Sequence, residues 1–499
     1  MGIYINDDFA NFYFNAPIED MNEAGLKRQI DFYTKAGGVE GIIFNLNASR
    51  AYFDSKVFEP IWKCVEFDDA AGKVYHHGKE ISRSDAKACL NLREMYRNVA
   101  DPTLIRKAYC AEKGVKFFLS LRINDLHTPY SGKNYTPDNV TLSDYWRDHE
   151  NFRRASYRRS YRGEWAQEGL DFAEKEVRDR MIALAKEYLT YQPDGFEIDF
   201  MRHLPLFKPG YDELHKGLVD EFIRTIRTIA GPQIQLAVRV PSTPDDALNC
   251  GLDVAYWAKQ GWIDIVEPSP SFCSNESDLP LESWRYMLPD HVILSPYIEL
   301  HNRSSAPEVP MLKTEGAIDR AYAAVFYQRG ADTVSLYNHF PYGPDAFEDG
   351  SVMQELYRDL ADPAICETKE RRHLVTYRDN TYMEGRFYSS YLPYAVGYND
   401  IDTVRLAVGN GTAGRRARLI IGYTDTDNAK LPEVRLNTVV ITPDHTDLDF
   451  PRLPECDLLK PLSYPIPAGL LHDGVNIAEL YNNAVPGSIR IMWMEVQIF

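Results

Sequence analysis

Nowhere in the 499 residues does an apolar run approach the 18 or so residues that a membrane-crossing helix requires. The most apolar stretches, VEGIIFNL (39–46) and HVILSPYI (291–298), are less than half that long, so no membrane span is expected. The opening segment MGIYINDDFANFYF lacks a basic flank followed by an apolar core. A secretory signal is therefore absent or has been removed, and the compartment stays open between cytoplasmic and secreted or periplasmic. Cysteine is sparse: seven residues, at positions 64, 89, 110, 250, 273, 366 and 456, with no C-x-x-C spacing. An odd, scattered set reads as free thiols and excludes a structural zinc. Positive charge is also short, since 55 Lys and Arg against 73 Asp and Glu leave a net charge of −18. Sequence-independent nucleic-acid binding needs the opposite balance, so neutral or cationic partners fit better. A P-loop, a G-x-G-x-x-G after a strand and a G-x-S-x-G elbow are missing too, which leaves nucleotide-dependent and serine-hydrolase chemistry without support.

What is present is ordinary globular composition, 44% hydrophobic and 26% charged, on a chain long enough for two to four domains. Up to about residue 365, short β-branched and aromatic runs alternate with helical stretches, the pattern of βα units around a parallel sheet. Eight such runs begin near Ile3, Val39, Val115, Gly195, Ile234, Trp262, Val292 and Asp332. Eight predict a closed (β/α)8 TIM barrel over residues 1–365. Long insertions, residues 48–113 and 122–170, follow the second and third runs. The Tyr- and Arg-rich stretch YWRDHENFRRASYRRSYRGEW reads either as a lid or as a solvated helical insertion. Before the fourth run, Asp171 and Glu174 have capping-box spacing, and Phe172, Val177, Met181, Leu184 and Tyr188 share a helical face. From residue 370 to 499 the period switches to two, predicting an antiparallel β-sandwich of jelly-roll type. Asp425 and Asp427 have calcium-loop spacing there but fit a polar hairpin tip better, so no metal is assigned.

Each barrel run ends in polar residues, where a TIM barrel keeps its ligand site. In the fourth run, DGFEIDFMRH, period two sends Glu197 and Asp199 into the lumen while Phe196, Ile198 and Phe200 face the helices. A carboxylate inside a barrel is costly unless it is paired or hydrogen-bonded. Glu197 therefore reads either as a buried salt-bridge partner of Arg239 or Arg122 or as an alternative catalytic group, and Asp199, at the open end, as the catalytic carboxylate. Glycoside hydrolysis requires two carboxyl groups, about 5 Å apart for retention and roughly 6.5–9.5 Å apart for inversion. The candidates for the second are Glu267, which precedes Pro268 at a strand end, and Glu299 as the alternative. Arg122, Asn124, Asp125 and His127 mix donors and acceptors within six residues, as recognition of sugar hydroxyls requires. Asn6, Asp7, Arg202, His203, Arg239, Tyr297, Asn338 and His339 complete the expected substrate-binding set. Trp146, Trp165 and Tyr297 are candidate platforms for sugar rings.

The fourth run resembles the alpha-amylase family motif D-G-F-R-I-D-x-x-K-H, whose second aspartate is the glycosyl nucleophile and whose histidine binds substrate. The match falls on Asp199 and His203, with Glu197 standing in place of the arginine and Arg239 in place of that family's catalytic glutamate. A wider likeness runs through NDD, SLRINDLH (120–127), SDYWRDHENFR (143–153), EVRDRM (176–181), DGFEIDFMR and GADTVSLYN (330–338). Together these resemble glycosyl-hydrolase-like barrel proteins of bacterial carbohydrate-degrading loci. The resemblance implies a glycoside hydrolase without cofactor, Asp199 its nucleophile and Glu267 its acid. A non-catalytic carbohydrate-binding barrel stays open, as does a metal-dependent enzyme built around Asp7, Asp125 and His127.

Overall fold

A computed structural model of the chain describes residues 2–126, 130–131, 134–155, 168–201, 203–270, 274–302, 309–314, 316–340, 351–378, 389–390, 392–424, 431–444, 460–483 and 486–499. His127, Trp165, Arg202, Asp425 and Asp427 lie outside the described residues, as does part of the Tyr- and Arg-rich insertion. Among the described residues no helix is long and apolar enough to cross a membrane.

The barrel strands, in chain order, are Ile3–Asp8, Val39–Asn45, Lys116–Arg122, Gly195–Asp199, Gln235–Val240, Ile265–Pro268, a seventh in two pieces (Ile293–Leu294 and Tyr297–Glu299), and Ser335–Tyr337. They are called strands one to eight below. All neighbouring pairs are parallel. The seventh strand is what closes the ring: its first piece pairs with strand six and its second with strand eight. The break falls at Pro296, which has no N–H for the ladder. Ser295 N–H donates to the Val266 carbonyl on one side, and the Pro296 carbonyl accepts from Ser335 N–H on the other. The result is an eight-stranded (β/α)8 barrel.

Alternation along the strands sorts side chains between two environments. Outward residues such as Ile5, Phe44, Phe117, Phe196, Ile198 and Val238 join the helices in one large apolar core. Inward residues Tyr4, Ile43, Phe118, Ala237 and Ile265 form a separate apolar floor. Two glycines make room for it. A Cβ at Gly195 would stand 2.0 Å from the Phe118 ring, and one at Gly41 would stand 2.9 Å from the Tyr4 ring.

The helix before strand four runs Lys175–Leu189 and buries Val177, Met181, Leu184 and Tyr188 as expected. Its start differs from expectation. Glu174 is the N-cap and makes no side-chain cap bond, while Asp171 accepts instead from Ala173 N–H in the turn before it.

After the barrel, the strands Tyr394–Gly397, Ser488–Ile498, Ala417–Tyr423 and Lys460–Ile466 lie side by side in one antiparallel sheet, with Arg371–Leu374 also on Ser488–Ile498. The second sheet runs Ile401–Ala407, Val475–Tyr481, Glu433–Leu436, Val439–Ile441. From Tyr394–Gly397 onward, successive strands therefore switch sheets except at one hairpin, which is the interleaved Greek-key order of a jelly roll. Both sheets contribute to a second apolar core that includes Val404, Leu419, Leu480 and Val496. Asp278 ties the two parts together, receiving Arg329 from the barrel and Arg405 Nε, at 2.7 Å, from the sandwich.

Candidate active site

Above the apolar floor the lumen turns polar. One step up each strand, the inward positions are Asn6, Asn45, Ser120, Glu197, Arg239, Glu267, Ser295 and Ser335, and all are buried. A further step brings Asp8, Arg122, Asp199, Tyr297 and Tyr337. A barrel stacks its lumen side chains in such layers; here the upper ones carry charge.

Asp199 is 1% exposed. Its Oδ1 accepts Met201 N–H at 2.9 Å, and its Oδ2 accepts Arg239 Nη1 at 3.3 Å with Arg122 Nε at 3.9 Å. Arg239 also donates from Nε and Nη2 to Ser269 Oγ at 3.1 and 2.9 Å and lies over the rings of Tyr337 and Tyr297, at 3.9 and 4.6 Å. Arg122 donates to Asp125 at 2.9 Å and to Asp8 at 3.2 Å. Glu197 and Glu267 touch each other deeper in the lumen. Burial first, and the charge of Glu197 second, hold the Glu267 carboxyl well above the usual range. Arg239 is in register with both Asp199 and Glu267, one on each side. Adjacent strands are 4.7–4.9 Å apart, so the two backbones stand about 9–10 Å from each other.

A cavity of about 700 Å³ opens beside this stack. Asp8, Arg122 and Asn338 line it from strand ends, with Asn11, Phe14 and Asn15 from the first helix, Tyr52, Ser82, Ser84 and Asp85 from the insertion after strand two, and Asn139 and Thr141 from the insertion after strand three. The lining mixes amides, hydroxyls and aromatic rings with two acids and one base, as a hydroxyl-rich ligand requires.

Several sequence candidates meet here. Asn6 donates to Glu197 Oε1 at 3.1 Å, Tyr297 OH donates to Glu197 Oε2 at 2.7 Å, and Arg122, Arg239 and Asp199 form one ionic group. Asn338 reaches the cavity with φ +61 and donates to both oxygens of Glu299, at 2.8 and 2.9 Å. Glu299 also faces His301 Nδ1 at 3.1 Å, so its oxygens are already engaged.

Other candidates are elsewhere. Asp7 points outward, not into the pocket: Gln29 donates to it, Arg106 holds Gln29, and burial pushes its carboxyl up to about 7. Period two from Asn6 puts Asp8, a polar strand-end residue of the sequence that is not in the expected substrate-binding set, on the lumen side, where it lines the cavity. His339 also turns outward, beneath the helix Gly316–Gln328, with Nε2 3.6 Å from Asp319, and burial lowers it to about 3. Asn124 is occupied with the Leu170 backbone, as donor at 3.4 Å and acceptor at 3.1 Å. The space beside Asn124 and Asp125 is only about 20 Å³, room for about one water rather than a sugar. His203, with φ +80, accepts Leu126 N–H at 2.6 Å and pins one strand end to another. Trp146 is core rather than platform, 1% exposed and donating to the Glu168 carbonyl at 2.7 Å. The cavity residues missed in the sequence, Tyr52, Asp85, Asn139 and Thr141, sit in insertions that carry no period to place them.

Among the described residues one trio has metal-ligand spacing, His76, His77 and Asp144. Arg50 and Arg147 already hold Asp144, and Arg147 Nη2 is 3.3 Å from His76 Nε2. Two guanidinium groups in that shell repel a cation, so the trio reads as an ion-pair network. Of the residues of the metal-enzyme reading, Asp7 points outside the barrel wall, Asp125 is held by Arg122 at 2.9 Å, and His127 lies outside the described residues.

No family model and no curated protein matches the chain. Among solved structures, a noncanonic maltogenic alpha-amylase, AmyB from Thermotoga neapolitana, aligns over 98% of both chains at 11% identity with a TM-score of 0.40. The cyclomaltodextrin glucanotransferase CldA aligns over 97% of this chain and 99% of its own at 11% identity, TM-score 0.43. A cycloisomaltooligosaccharide glucanotransferase from Paenibacillus sp. is covered over only 57% of its length, at 9% identity and TM-score 0.34. All three scores are below 0.5, so these likenesses carry no argument. The barrel rests on its own strand pairing.

Proposed function

We propose that the chain is a glycoside-active barrel enzyme, a hydrolase of oligo- or polysaccharide, in which Asp199 is the charged group facing the anomeric centre and Glu267 the proton donor. The observation that carries this reading is the unequal treatment of two carboxyl groups on either side of Arg239. One is held between two arginines; the other is raised by burial and a neighbouring acid. Environments that push two carboxyls apart are how a glycosidase assigns an anion and an acid. The cavity lining of amides, hydroxyls and aromatic rings suits a carbohydrate partner.

One observation favours a second reading. Asp199 and Glu267 are each 1% exposed, beneath Arg122, so the cavity as it stands touches neither carboxyl. A non-catalytic barrel that binds carbohydrate through Asp8, Arg122 and Asn338 would look the same. The test is turnover of a panel of activated aryl glycosides and oligosaccharides by wild type, Asp199→Asn and Glu267→Gln. Under the enzyme reading Asp199→Asn collapses on every substrate. Glu267→Gln keeps most of its rate on the activated aryl glycoside, whose leaving group needs little protonation. Saccharide binding without turnover by wild type refutes the enzyme reading and supports the second.

A further inference from the structure

We propose that Glu197 and Glu267 form a carboxyl pair holding one proton, in which Glu197 is a charged positioning residue that keeps that proton on Glu267. This rests on the reading of Glu267 as the proton donor.

The hydrogen bonds around the two groups are unequal. Both oxygens of Glu197 accept: Oε1 from Asn6 Nδ2 at 3.1 Å and Oε2 from Tyr297 OH at 2.7 Å. Asn6 Nδ2 also donates to Tyr297 OH at 3.0 Å, which aims that hydroxyl's proton at Glu197. Glu267 accepts one bond, from Ser335 Oγ at 3.3 Å, and its buried Oε2 has no donor. Bonds donated to a carboxylate favour its charged form. Two donors, one of them short, against a single longer one therefore leave the negative charge on Glu197. A proton on Glu267 then satisfies the orphaned oxygen, as a donor toward Glu197.

The surroundings make the sharing obligatory. Below lies the apolar floor of Tyr4, Ile43, Phe118, Ala237 and Ile265, so water does not screen the pair. The charged groups facing it are Asp199 on strand four, which opposes a second negative charge, and Arg239 on strand five. Tyr297 on strand seven and Tyr4 on strand one are neutral, because burial raises both hydroxyls. Arg239 is a single cation facing three carboxyls and is nearest Asp199. Two carboxylates in contact at low dielectric do not both ionise. Both oxygens of Glu197 are held by Asn6 and Tyr297 and its neighbouring acid is Glu267, so its effect on the reaction passes through Glu267.

The alkaline limb of the pH–rate profile on a poor leaving group should report loss of this proton. In Glu197→Gln that limb should move down by one pH unit or more, a tenfold loss at pH values above it, while Glu197→Asp keeps the charge and the limb. Burial of Glu267 alone predicts an unmoved limb in Glu197→Gln, and that outcome overturns the pair while leaving the proposed function standing. The infrared carbonyl stretch of a protonated carboxyl provides a readout without turnover. With Asp7→Asn as the background of every spectrum, since the Asp7 carboxyl at about 7 would otherwise contribute its own band, the band should be present at neutral pH with Glu267 intact and absent in Glu267→Gln, and in Glu197→Gln it should titrate at lower pH. A band that survives in Glu267→Gln places the proton on Glu197 and refutes the assignment, even if Glu197→Gln fails to fold. Wild type that shows the band but turns over no glycoside retains the pair and loses the function.

Discussion

Arg239→Met removes the one cation that strand five places between Asp199 and Glu267. The replacement keeps the volume of the stem, so the cost comes from electrostatics and polar contacts. Arg239 is buried, bonds Ser269 Oγ twice and lies over two tyrosine rings. Each ring contact contributes about 0.5–2 kcal/mol and each hydrogen bond about 1 kcal/mol. The larger effect is on Asp199, which keeps the Met201 N–H bond but has as cationic partner only Arg122 Nε at 3.9 Å. Removing one partner of a buried pair costs about 3–5 kcal/mol, and because these contributions overlap we expect a total near that range. Urea unfolding followed by tryptophan fluorescence at pH 8 measures it. Adding Asp199→Asn should recover at least half, since no orphan charge remains. A cost below about 1 kcal/mol, or one that the double variant does not relieve, would show that Arg239 and Asp199 are not coupled.

Asp7 makes stability depend on pH. Its folded value of about 7 lies above the unfolded one, so ionising it costs stability, from none below pH 4 to about 4 kcal/mol above pH 7. Asp7→Asn should gain on wild type as pH rises from 5 to 8 in urea midpoints, and a constant difference refutes the buried acid. Gly195→Ala drives a methyl into the Phe118 ring and should cost about 1–3 kcal/mol, partly relieved by Phe118→Leu; calorimetric melting of the three variants decides it. Trp146→Phe loses the bond to the Glu168 carbonyl and the Arg153 contact at 3.6 Å. It should lower stability by about 1–2 kcal/mol and leave saccharide affinity unchanged in titration calorimetry, whereas a platform would lose affinity.

How much of this was legible in the sequence follows from how far each signal reaches. The eight strands were, because a buried parallel strand must be apolar on its helix face over its whole length, as in Phe196 and Ile198. The inward direction of Glu197 and Asp199 follows from the same alternation. So does the jelly roll, since the alternation of Val404 and Leu406, or Leu419 and Ile421, needs a second sheet to cover it. What the period could not give is where a strand stops obeying it. Asp7 and Asp8 are neighbours of opposite parity, and choosing Asp7 puts into the lumen an acid that faces outward. At His339, just past Asn338 with its positive φ, the chain has already left the strand, so a parity count from Ser335 or Tyr337 no longer applies.

The division of labour among the acids was out of reach for a different reason. Glu197, Glu267 and Glu299 are each a glutamate near a strand end, and nothing in their own neighbourhoods ranks them. The ranking comes from partners distant in sequence: Asn6 and Tyr297 on Glu197, Ser335 alone on Glu267, Asn338 and His301 on Glu299. Barrel closure supplies those partners, since strand seven must split at Pro296 to pair on both sides and so carry Tyr297 over Glu197. A residue with no charge, on the strand that completes the ring, thus decides which glutamate keeps the negative charge. Tyr297→Phe should accordingly weaken the preference for charge on Glu197 while leaving Glu299 and its hydrogen bonds as they are. A protonated-carboxyl infrared band with unchanged frequency and titration in that variant would mean that the hydroxyl merely fills space.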